Sequence, residues 1–151
     1  DTDGFAEGEG AAWFVAWTED GNVVRESYVN LIPTPAGGTH ESGLREGLFG
    51  AVKSFVEMHS LLPKGVKLLP EDVFARASFV LSAKVPDPQF QGQTKDRLVS
   101  TDATRQTEQA VRDRFDQWLS ADAGRATFLL DAAIQRADDL FEEHIRKLGD
   151  K

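Results

Sequence analysis

The residues that could do chemistry concentrate in one loop, which runs from Asp87 to Lys95 with the sequence DPQFQGQTK. A proline lies at one end of this loop and a glycine near the other, and both residue types have specific roles in turns. The tip clusters the amide of Gln93, the hydroxyl of Thr94 and the ammonium group of Lys95, a donor set suited to a phosphate. We expect Phe90 to anchor the loop to the core. A solvated polar loop without a function is the alternative that these residues leave open.

A complete hydrolase needs further groups, and the sequence does not supply them. We find no base held by an orienting partner and no dedicated carboxylates for a metal. The run Gly37-Gly38-Thr39 precedes a predicted helix and could hold an anion on free N–H groups, but the chain lacks both the P-loop and the dinucleotide-binding glycine patterns. The chain by itself is therefore expected to be catalytically incomplete.

The three histidines, His40, His59 and His144, lie in different predicted elements without the spacing of metal ligands, and none belongs to an HExxH motif. A zinc site is therefore not expected. His40 lies between Thr39 and Glu41 at the start of a predicted helix. We expect it to satisfy local backbone groups, and orientation of another group at the helix start is the alternative.

Composition limits the class of protein. A length of 151 residues is typical of one compact domain, and 40% hydrophobic residues with 10 phenylalanines and 3 tryptophans can form its core. The formal net charge of -8 argues against a surface that binds nucleic acid throughout, although a local basic patch stays possible. The absence of cysteine excludes disulfides, thiolate metal sites and cysteine nucleophiles.

The chain carries no sequence signal for a membrane or for export. No apolar run reaches the roughly 18 residues of a membrane-spanning helix, and no basic-then-apolar leader opens the chain. We therefore expect a soluble protein that is not exported. Because the first residue is Asp1 and the only methionine is Met58, we interpret the chain as a fragment of a longer protein.

Two strands are predicted near the start of the chain, after a small and acidic opening segment. The run from Ala12 to Thr18 is aromatic and β-branched, which favours a strand buried on both faces. The run from Val23 to Leu31 is the second strand. The turn sequence Asp20-Gly21-Asn22 between them predicts an antiparallel hairpin.

A helix is predicted from His40 to His59, with Thr39 as its N-cap and Glu41 in its first turn. Its apolar stripe has helical spacing, and three glycines form an adjacent strip; the stripe is Leu44, Leu48, Val52, Phe55 and Val56, and the glycines are Gly43, Gly47 and Gly50. Each internal glycine costs about 1 kcal/mol relative to alanine. We therefore expect another backbone, that of the sheet, to pack closely on this strip, and a weak, frayed helix is the alternative.

The rest of the chain is predicted to contain one more strand and two helices. A helical turn with Pro70 at its first position precedes a strand from Phe74 to Val85, which Pro86 and Pro88 end. A helix from about Asp102 has the apolar face Thr107, Val111, Phe115, Trp118 and Leu119. After a break at residues 120–124, a last helix with apolar positions from Leu130 to Leu148 is expected to extend beyond the globular body.

Two segments of the chain resemble a known family. They are SYVNLIPT (Ser27 to Thr34) followed by GGTHE (Gly37 to Glu41), and DPQF (Asp87 to Phe90) followed by GQTK (Gly92 to Lys95). The same motifs occur in the same order in the B subunits of bacterial type II DNA topoisomerases, and the NLIPT form is more similar to topoisomerase IV than to gyrase. The resemblance extends over nearly the whole chain. It covers one part of these proteins, the transducer domain that follows the ATP-binding domain.

The resemblance implies an α+β fold of the GHKL-type topoisomerases. Its expected features are a mixed four-stranded sheet with a left-handed βαβ crossover, packed by helices, and a long C-terminal helix that leads toward the DNA-cleaving region. The expected domain is residues 1–151, with a core at about 11–119 and the long helix at about 122–148. The ATP-binding domain would precede this fragment and lie outside it.

The resemblance also implies roles for two loop residues. In the family the Gln-Thr-Lys loop enters the ATP-binding domain of the same polypeptide, where its lysine contacts the γ-phosphate. Here that lysine is Lys95, which is expected to be catalytic, and Gln93 is a second γ-phosphate contact. A cation at this phosphate stabilises charge that develops in the transition state. Gln91 departs from the Glu or Ala expected in relatives, but it is not a phosphate contact.

The implied cofactors are ATP and Mg²⁺, held mainly by the preceding domain. The implied partners are that ATP-binding domain, a second copy of the B subunit, the A subunit of topoisomerase IV and double-stranded DNA, with no membrane, in the bacterial cytoplasm at the nucleoid. The enzyme would couple ATP binding and hydrolysis to clamp closure and DNA strand passage, in decatenation and relaxation. DNA-facing candidates are Arg105, Arg112, Arg114 and Arg125, each of which has an ordinary surface salt bridge as its alternative.

A competing function is a non-catalytic acidic module that binds a protein partner and has no nucleotide role. In that case the loop from Gln93 to Lys95 is a solvated polar loop without a function. The position of Lys95 separates the two functions: an exposed loop tip favours phosphate contact, whereas an internal salt bridge argues against it. A self-sufficient phosphatase or kinase lacks its necessary residues.

Overall fold

Four strands and four helices form the part of the chain that the computed structural model describes, which is residues 10–18, 21–121, 124 and 127–149. In chain order they are β1 (Gly10–Trp17), β2 (Arg25–Val29), β3 (Ile32–Pro33), α1 (Thr39–Met58), α2 (Pro70–Phe74), β4 (Ala77–Lys84), α3 (Thr101–Ala121) and α4 (Thr127–Gly149). The acidic opening segment and Asp20 of the predicted turn lie outside the described residues.

The strands form one mixed sheet in the order β1-β4-β2-β3. β1 is antiparallel to β4, β4 is parallel to β2, and β2 is antiparallel to β3. Parallel neighbours need a crossover connection, and here the chain passes from β2 to β4 through α1 and α2. The predicted α+β fold with a mixed four-stranded sheet and a long last helix is confirmed. The left hand of the crossover stays a prediction.

The predicted hairpin between the first two strands is wrong, because β4 lies between β1 and β2. β4 has the most buried inner face in the sheet: Phe79 is 2% exposed and Leu81 is 0% exposed. A central strand can bury such residues while both of its edges are hydrogen bonded. The glycine at position 21 has φ 80°, as a chain reversal requires, but a turn does not decide which strands pair.

The composition of β1 predicted a strand buried on both faces, and this prediction is wrong. β1 is an edge strand with one exposed face. Trp13 and Trp17 pack against the core, whereas Phe14 is 66% exposed. Phe14 pairs in register with Val80 of β4, which is also partly exposed. Since successive strand residues point to opposite faces, these two side chains lie on the face of the sheet away from the helices.

α1 packs its glycine strip against α3 and not against the sheet. A Cβ at Gly43 would lie 2.5 Å from the backbone oxygen of Thr104, and one at Gly47 would lie 2.8 Å from that of Glu108. The predicted close approach of another backbone is confirmed, but its source is a helix. The adjacent apolar stripe of α1, whose Leu44, Leu48 and Val52 are fully buried, belongs to the same core cluster as Phe79 and Leu81 of β4.

An ion pair attaches the last helix to α2. The side chain of Asp72 is 1% exposed, accepts a hydrogen bond from the backbone N–H of Leu69 at 2.8 Å, and lies 3.4 Å from Nε of Arg136 on α4. Leu130 and Ala137 of α4 are buried, whereas the later apolar positions Ile145 and Leu148 are about half exposed. The first half of α4 and Phe141 therefore pack on the body, and the extension of this helix beyond the globular body stays a prediction.

Two predicted boundaries need correction. The N-cap of α1 is Gly38, and Thr39 is the first helical residue, with a buried hydroxyl that has no hydrogen-bond partner in the described structure. The strand predicted from Phe74 begins at Ala77, because Phe74 ends α2.

Within the described ranges, no helix is both long and apolar enough to span a membrane.

Candidate functional site

The candidate site lies at one end of the sheet, where the parallel strands β2 and β4 both finish. Val29 of β2 pairs with Ala83 of β4, so the segments that follow the two strands leave from the same end. After β4 this segment is the loop at residues 86–98. After β2 it is residues 30–31, from which β3 runs back beside β2 to the turn at residues 34–38. In open α/β sheets, ligands bind preferentially outside the carboxyl ends of parallel strands. The predicted loop is therefore in a position where the fold can support a binding function.

Asn30 fixes the start of the loop. Its side-chain Nδ2 donates to the carbonyl of Val85 at 2.9 Å, and its Oδ1 accepts from the N–H of Val85 at 2.9 Å. Asn30 itself has φ 50°, a left-handed conformation that asparagine tolerates better than most residues. This role was not predicted, because Asn30 lies inside the strand expected from Val23 to Leu31, whereas the observed β2 ends at Val29.

The two sides of the loop are paired with each other near its base. Phe90 and Leu98 form an antiparallel bridge. The N–H of Gln91 donates to the carbonyl of Arg97 at 3.0 Å, and the N–H of Val99 donates to that of Gln89 at 2.7 Å. Phe90 packs against a small buried cluster of Val29, Leu98 and Ala103, which confirms its predicted anchoring role.

The turn at residues 34–38 adds a third segment beside the loop base. The N–H of Ala36 donates to the carbonyl of Asp96 at 2.9 Å, and the N–H of Leu98 donates to that of Gly37 at 3.0 Å. Gly38 has φ 142°, and a Cβ at this position would overlap the backbone of Leu98. Only glycine permits this contact, so the glycine pair before α1 holds the loop. The alternative anion site on this run is not supported, because the N–H of Gly37 donates to the carbonyl of Thr34 at 2.9 Å and that of Thr39 donates to the carbonyl of Leu98 at 3.1 Å.

The tip of the loop projects into solvent. Residues 91–97 are all exposed, and a Cβ at Gly92 would meet no atom within 4 Å. Across the described residues, neither Gln93 nor Lys95 has a side-chain hydrogen bond or ion pair. The Lys95 ammonium group thus has no salt bridge to any residue that the structure describes, and it can bind an anion from outside the chain.

A chain of buried polar side chains lies beneath the turn. The hydroxyls of Ser27 and Thr34 are 2.8 Å apart, and the Thr34 hydroxyl lies 3.0 Å from Nε2 of His40. Ser27 also donates to Oε2 of Glu41 at 2.5 Å. All of these residues except Glu41 are buried, and His40 is 0% exposed.

The direction of the protons in this chain follows from counting donors. A hydroxyl has one proton, and a carboxylate can only accept, so the proton of Ser27 goes to Glu41. Ser27 must then accept from Thr34, and Thr34 must accept from Nε2–H of His40. This assigns the Nε2–H tautomer to a neutral His40, whose Nδ1 is buried without a partner in the described structure. His40 therefore bonds to a side chain, and not to the local backbone groups that we expected.

Burial makes folding stability depend on the protonation of His40. Burial lowers the pKa of His40 from 6.5 to about 4. The unfolded chain therefore binds a proton at this histidine between about pH 6.5 and pH 4, while the folded chain does not. We expect the free energy of unfolding to fall as the pH falls through this range, by up to about 1.4 kcal/mol per pH unit and about 3 kcal/mol in total. Urea unfolding at a series of pH values measures this dependence of the free energy of unfolding on pH.

Two variants isolate this contribution from that of the carboxylates. His40→Gln removes the titrating group, so its stability is expected to depend less steeply on pH than that of the unchanged protein. His144→Gln, at an exposed histidine on α4, is the matched control and should leave the slope as it is. Equal slopes for all three proteins would contradict the assignment.

The remaining predicted residues are not brought to this site. His59 lies just after the far end of α1 with its ring 4.3 Å from that of Phe55, and His144 is exposed on α4. The described residues contain no group of three or more histidine, aspartate or glutamate side chains that could hold a metal. Of the candidate DNA-facing arginines, Arg112 donates to Ser54 and lies 4.0 Å from Asp116, and Arg125 lies outside the described residues.

Comparison with known proteins identifies similar sequences over most of the chain. A family model described as DNA gyrase B matches residues 2–146. The B subunit of DNA topoisomerase 4 from Pseudomonas aeruginosa is 50% identical over 130 residues, which are 85% of this chain and 21% of that protein. The protein of the same name from Escherichia coli is 46% identical over 130 residues, with the same coverage of 85% and 21%. The chain thus spans about a fifth of the length of these relatives.

Solved structures with the same fold are also similar. The topoisomerase IV ATP-binding domain of Francisella tularensis, in complex with a small-molecule inhibitor, matches with a TM-score of 0.82 and 36% identity, over 92% of this chain and 39% of that one. The 43K ATPase domain of Thermus thermophilus gyrase B, in complex with an aminocoumarin, matches with a TM-score of 0.82 over 96% of this chain and 38% of that one. Its 24% identity supports the fold alone.

Proposed function

This chain belongs to the DNA gyrase B family, and on that premise we propose that it is the transducer domain of a topoisomerase IV B subunit. Residues 1–151 form this single domain, with a core at about 11–119 and the long helix at about 122–148. The ATP-binding domain precedes it in the full-length protein. The relatives named as B subunits of topoisomerase 4, at up to 50% identity, support the choice of topoisomerase IV over gyrase.

Lys95 contacts the γ-phosphate of ATP bound in the preceding domain, and Gln93 is a second contact. One observation carries this assignment: the Lys95 ammonium group is exposed at the tip of a loop whose base is held on both sides by backbone hydrogen bonds. A fixed base with a projecting cation is the arrangement expected of a group that enters a neighbouring site. A solvated polar loop without a function would need neither the hydrogen bonds from Asn30 to Val85 nor the close contact of Gly38 with Leu98.

The direction of the chain supports this contact with the preceding domain. Gly10, where β1 begins, pairs with Lys84 at the end of β4, immediately before the loop. A domain attached through residues 1–9 therefore joins the sheet at the end from which the loop projects. This placement lets one short connection bring the ATP-binding domain next to Lys95.

The mechanism assigned to this chain is electrostatic. The positive charge of Lys95 stabilises negative charge that develops on the γ-phosphate oxygens in the transition state, in a site from which the domain closure excludes water. The base and the Mg²⁺ ligands of the reaction belong to the preceding domain. When the phosphate leaves, Lys95 loses its counter-charge, and the loop no longer holds the two domains together.

Domain movement then couples ATP use to DNA transport. A rigid base beneath the loop transmits a change at Lys95 to the sheet, and α4 extends that motion away from the site. In the dimer of two B subunits with the A subunit of topoisomerase IV, this coupling opens and closes a clamp on double-stranded DNA, in decatenation and relaxation. The enzyme works in the bacterial cytoplasm at the nucleoid.

The test of this function is the replacement of Lys95 by alanine in the full-length protein, with steady-state ATP hydrolysis as the measurement. A large fall in turnover supports the phosphate contact. Unchanged turnover removes it and leaves the domain as a passive connection between its neighbours.

The 151-residue chain alone is expected to have no ATPase activity and no tight ATP binding, because the catalytic base and the metal site lie in the preceding domain. Phosphate release and calorimetric titration with ATP and Mg²⁺ measure both. Turnover by the isolated chain would contradict this division of the site.

A further inference from the structure

The buried polar chain and the loop share one structural element, the turn at residues 34–38. On its inner side the Thr34 hydroxyl lies between Ser27 and His40, at 2.8 and 3.0 Å. On its outer side Ala36 and Gly37 hydrogen bond to residues 96 and 98 of the loop base. The carbonyl of Thr34 also accepts the N–H of Gly37 at 2.9 Å, which ties the two sides of the turn together.

We propose that Ser27, Thr34 and His40 are positioning residues that set the location of Lys95 by holding this turn against the loop base. The proposal rests on the proposed function of Lys95. None of the three residues reaches the loop tip, and each acts through the turn. The three residues therefore act on the nucleotide only through the contact of Lys95 with its terminal phosphate.

The polar chain can hold the turn in one place because its bonds are buried and directional. Each hydroxyl has one proton, so the order His40 to Thr34 to Ser27 to Glu41 is satisfied only when all four groups are in register. Ser27 and Thr34 are 5% and 1% exposed, so water does not replace a bond that breaks. A displaced turn would leave buried polar groups without partners.

Displacement of the turn would be passed directly to Lys95. The residue after Lys95 is Asp96, whose carbonyl accepts the N–H of Ala36 at 2.9 Å. A misplacement of about 1 Å in a group that acts on the transition state can reduce the rate up to about a hundredfold. Loosening of the turn should therefore lower the catalytic rate more than the affinity for ATP.

The first test uses Thr34→Val in the full-length protein, which keeps the shape of the side chain and removes the hydroxyl. We expect kcat for ATP hydrolysis to fall about tenfold with KM for ATP within about twofold, and Thr34→Ser, which keeps the hydroxyl, to stay within about twofold of the unchanged protein. In a Lys95→Ala background, Thr34→Val should cause no further loss, because its effect acts through Lys95. A further tenfold loss in that background would overturn the proposal.

The second test does not depend on ATP and separates this inference from the proposed function. We expect Thr34→Val to accelerate amide hydrogen exchange at least about tenfold in peptides covering residues 89–99, while exchange in 77–84 of β4 stays unchanged. Unchanged exchange in residues 89–99 would refute the proposed link between turn and loop. If Lys95→Ala leaves turnover unchanged, the proposed function fails, and the exchange result still decides whether the polar chain holds the loop.

A second variant covers the case in which Thr34→Val unfolds the domain and accelerates exchange everywhere. Ser27→Ala removes the acceptor of the Thr34 hydroxyl and leaves Thr34 and His40 in place. For Ser27→Ala, faster exchange in residues 89–99 with unchanged exchange in residues 77–84 supports the proposal. Unchanged exchange in residues 89–99 refutes it.

Discussion

Replacing Lys95 with alanine in the full-length protein is expected to lower the turnover of ATP by about a hundredfold, which corresponds to about 2.7 kcal/mol of transition-state stabilisation. The loss is large because Lys95 is proposed to face charge that develops in a closed site, where water cannot take its place. The fold should not change, since the side chain is exposed and has no partner in the described structure. Steady-state phosphate release measures turnover, and ATP affinity is measured in parallel.

Lys64→Ala is the matched control for this experiment. Lys64 is also an exposed lysine in a loop, but it follows the C-terminal end of α1, whereas the candidate site lies at the N-terminal end of that helix. Both variants remove one positive charge, so a general effect of net charge would appear in both. Equal turnover in the two variants would argue against a specific role for Lys95.

Replacing Gly43 with alanine is expected to lower the free energy of unfolding by about 2 kcal/mol, or the melting temperature by about 4–8 °C. Helix propensity alone predicts a gain of about 1 kcal/mol for this change. Steric overlap outweighs that gain, because the new Cβ would lie 2.5 Å from the backbone oxygen of Thr104 and 2.7 Å from Cβ of Thr107. Neither atom can move without separating α1 from α3. Thermal and urea unfolding of the chain measure the effect.

Gly50→Ala is the control, because it makes the same chemical change on the same strip of α1. Its Cβ would lie 3.3 Å from the guanidinium group of Arg112, which is the far end of a flexible side chain and can move. We expect this variant to be as stable as the unchanged protein or more stable by up to about 1 kcal/mol. If both alanine variants are stabilising, the two helices are not in the close contact described here.

Much of the local structure could be predicted from the sequence, because its causes are local. The spacing of apolar residues predicted α1, α3 and α4, and Pro70 marked the start of α2. The donor groups of the loop could also be predicted, because Gln93, Thr94 and Lys95 are neighbours in the chain. Phe90 could be predicted to anchor the loop because it is the one large apolar residue among polar neighbours. The structure places Gln93 and Lys95 at an exposed tip, which agrees with the loop that the residues predicted.

The arrangement of the elements was decided by tertiary structure alone. Nothing in the Asp20-Gly21-Asn22 turn indicates that β4, more than 50 residues later, separates the two strands around it. The partner of the α1 glycine strip is a helix for a similar reason, since a small-residue strip permits close approach by any backbone. Strand order and helix partners depend on which combination of apolar faces can be buried together, and no single segment contains that information.

The support of the candidate site shows the same division. Residue types and spacing predicted a loop tip suited to phosphate, with Lys95, and a chain without the other groups of a hydrolase. Tertiary structure determined how that tip is held: Asn30 meets Val85, Gly38 meets Leu98, and Ser27 meets Glu41 across the end of the sheet. Asn30 and Val85 meet because β2 and β4 run parallel and finish at the same end, a register that long-range packing sets and that local sequence does not encode.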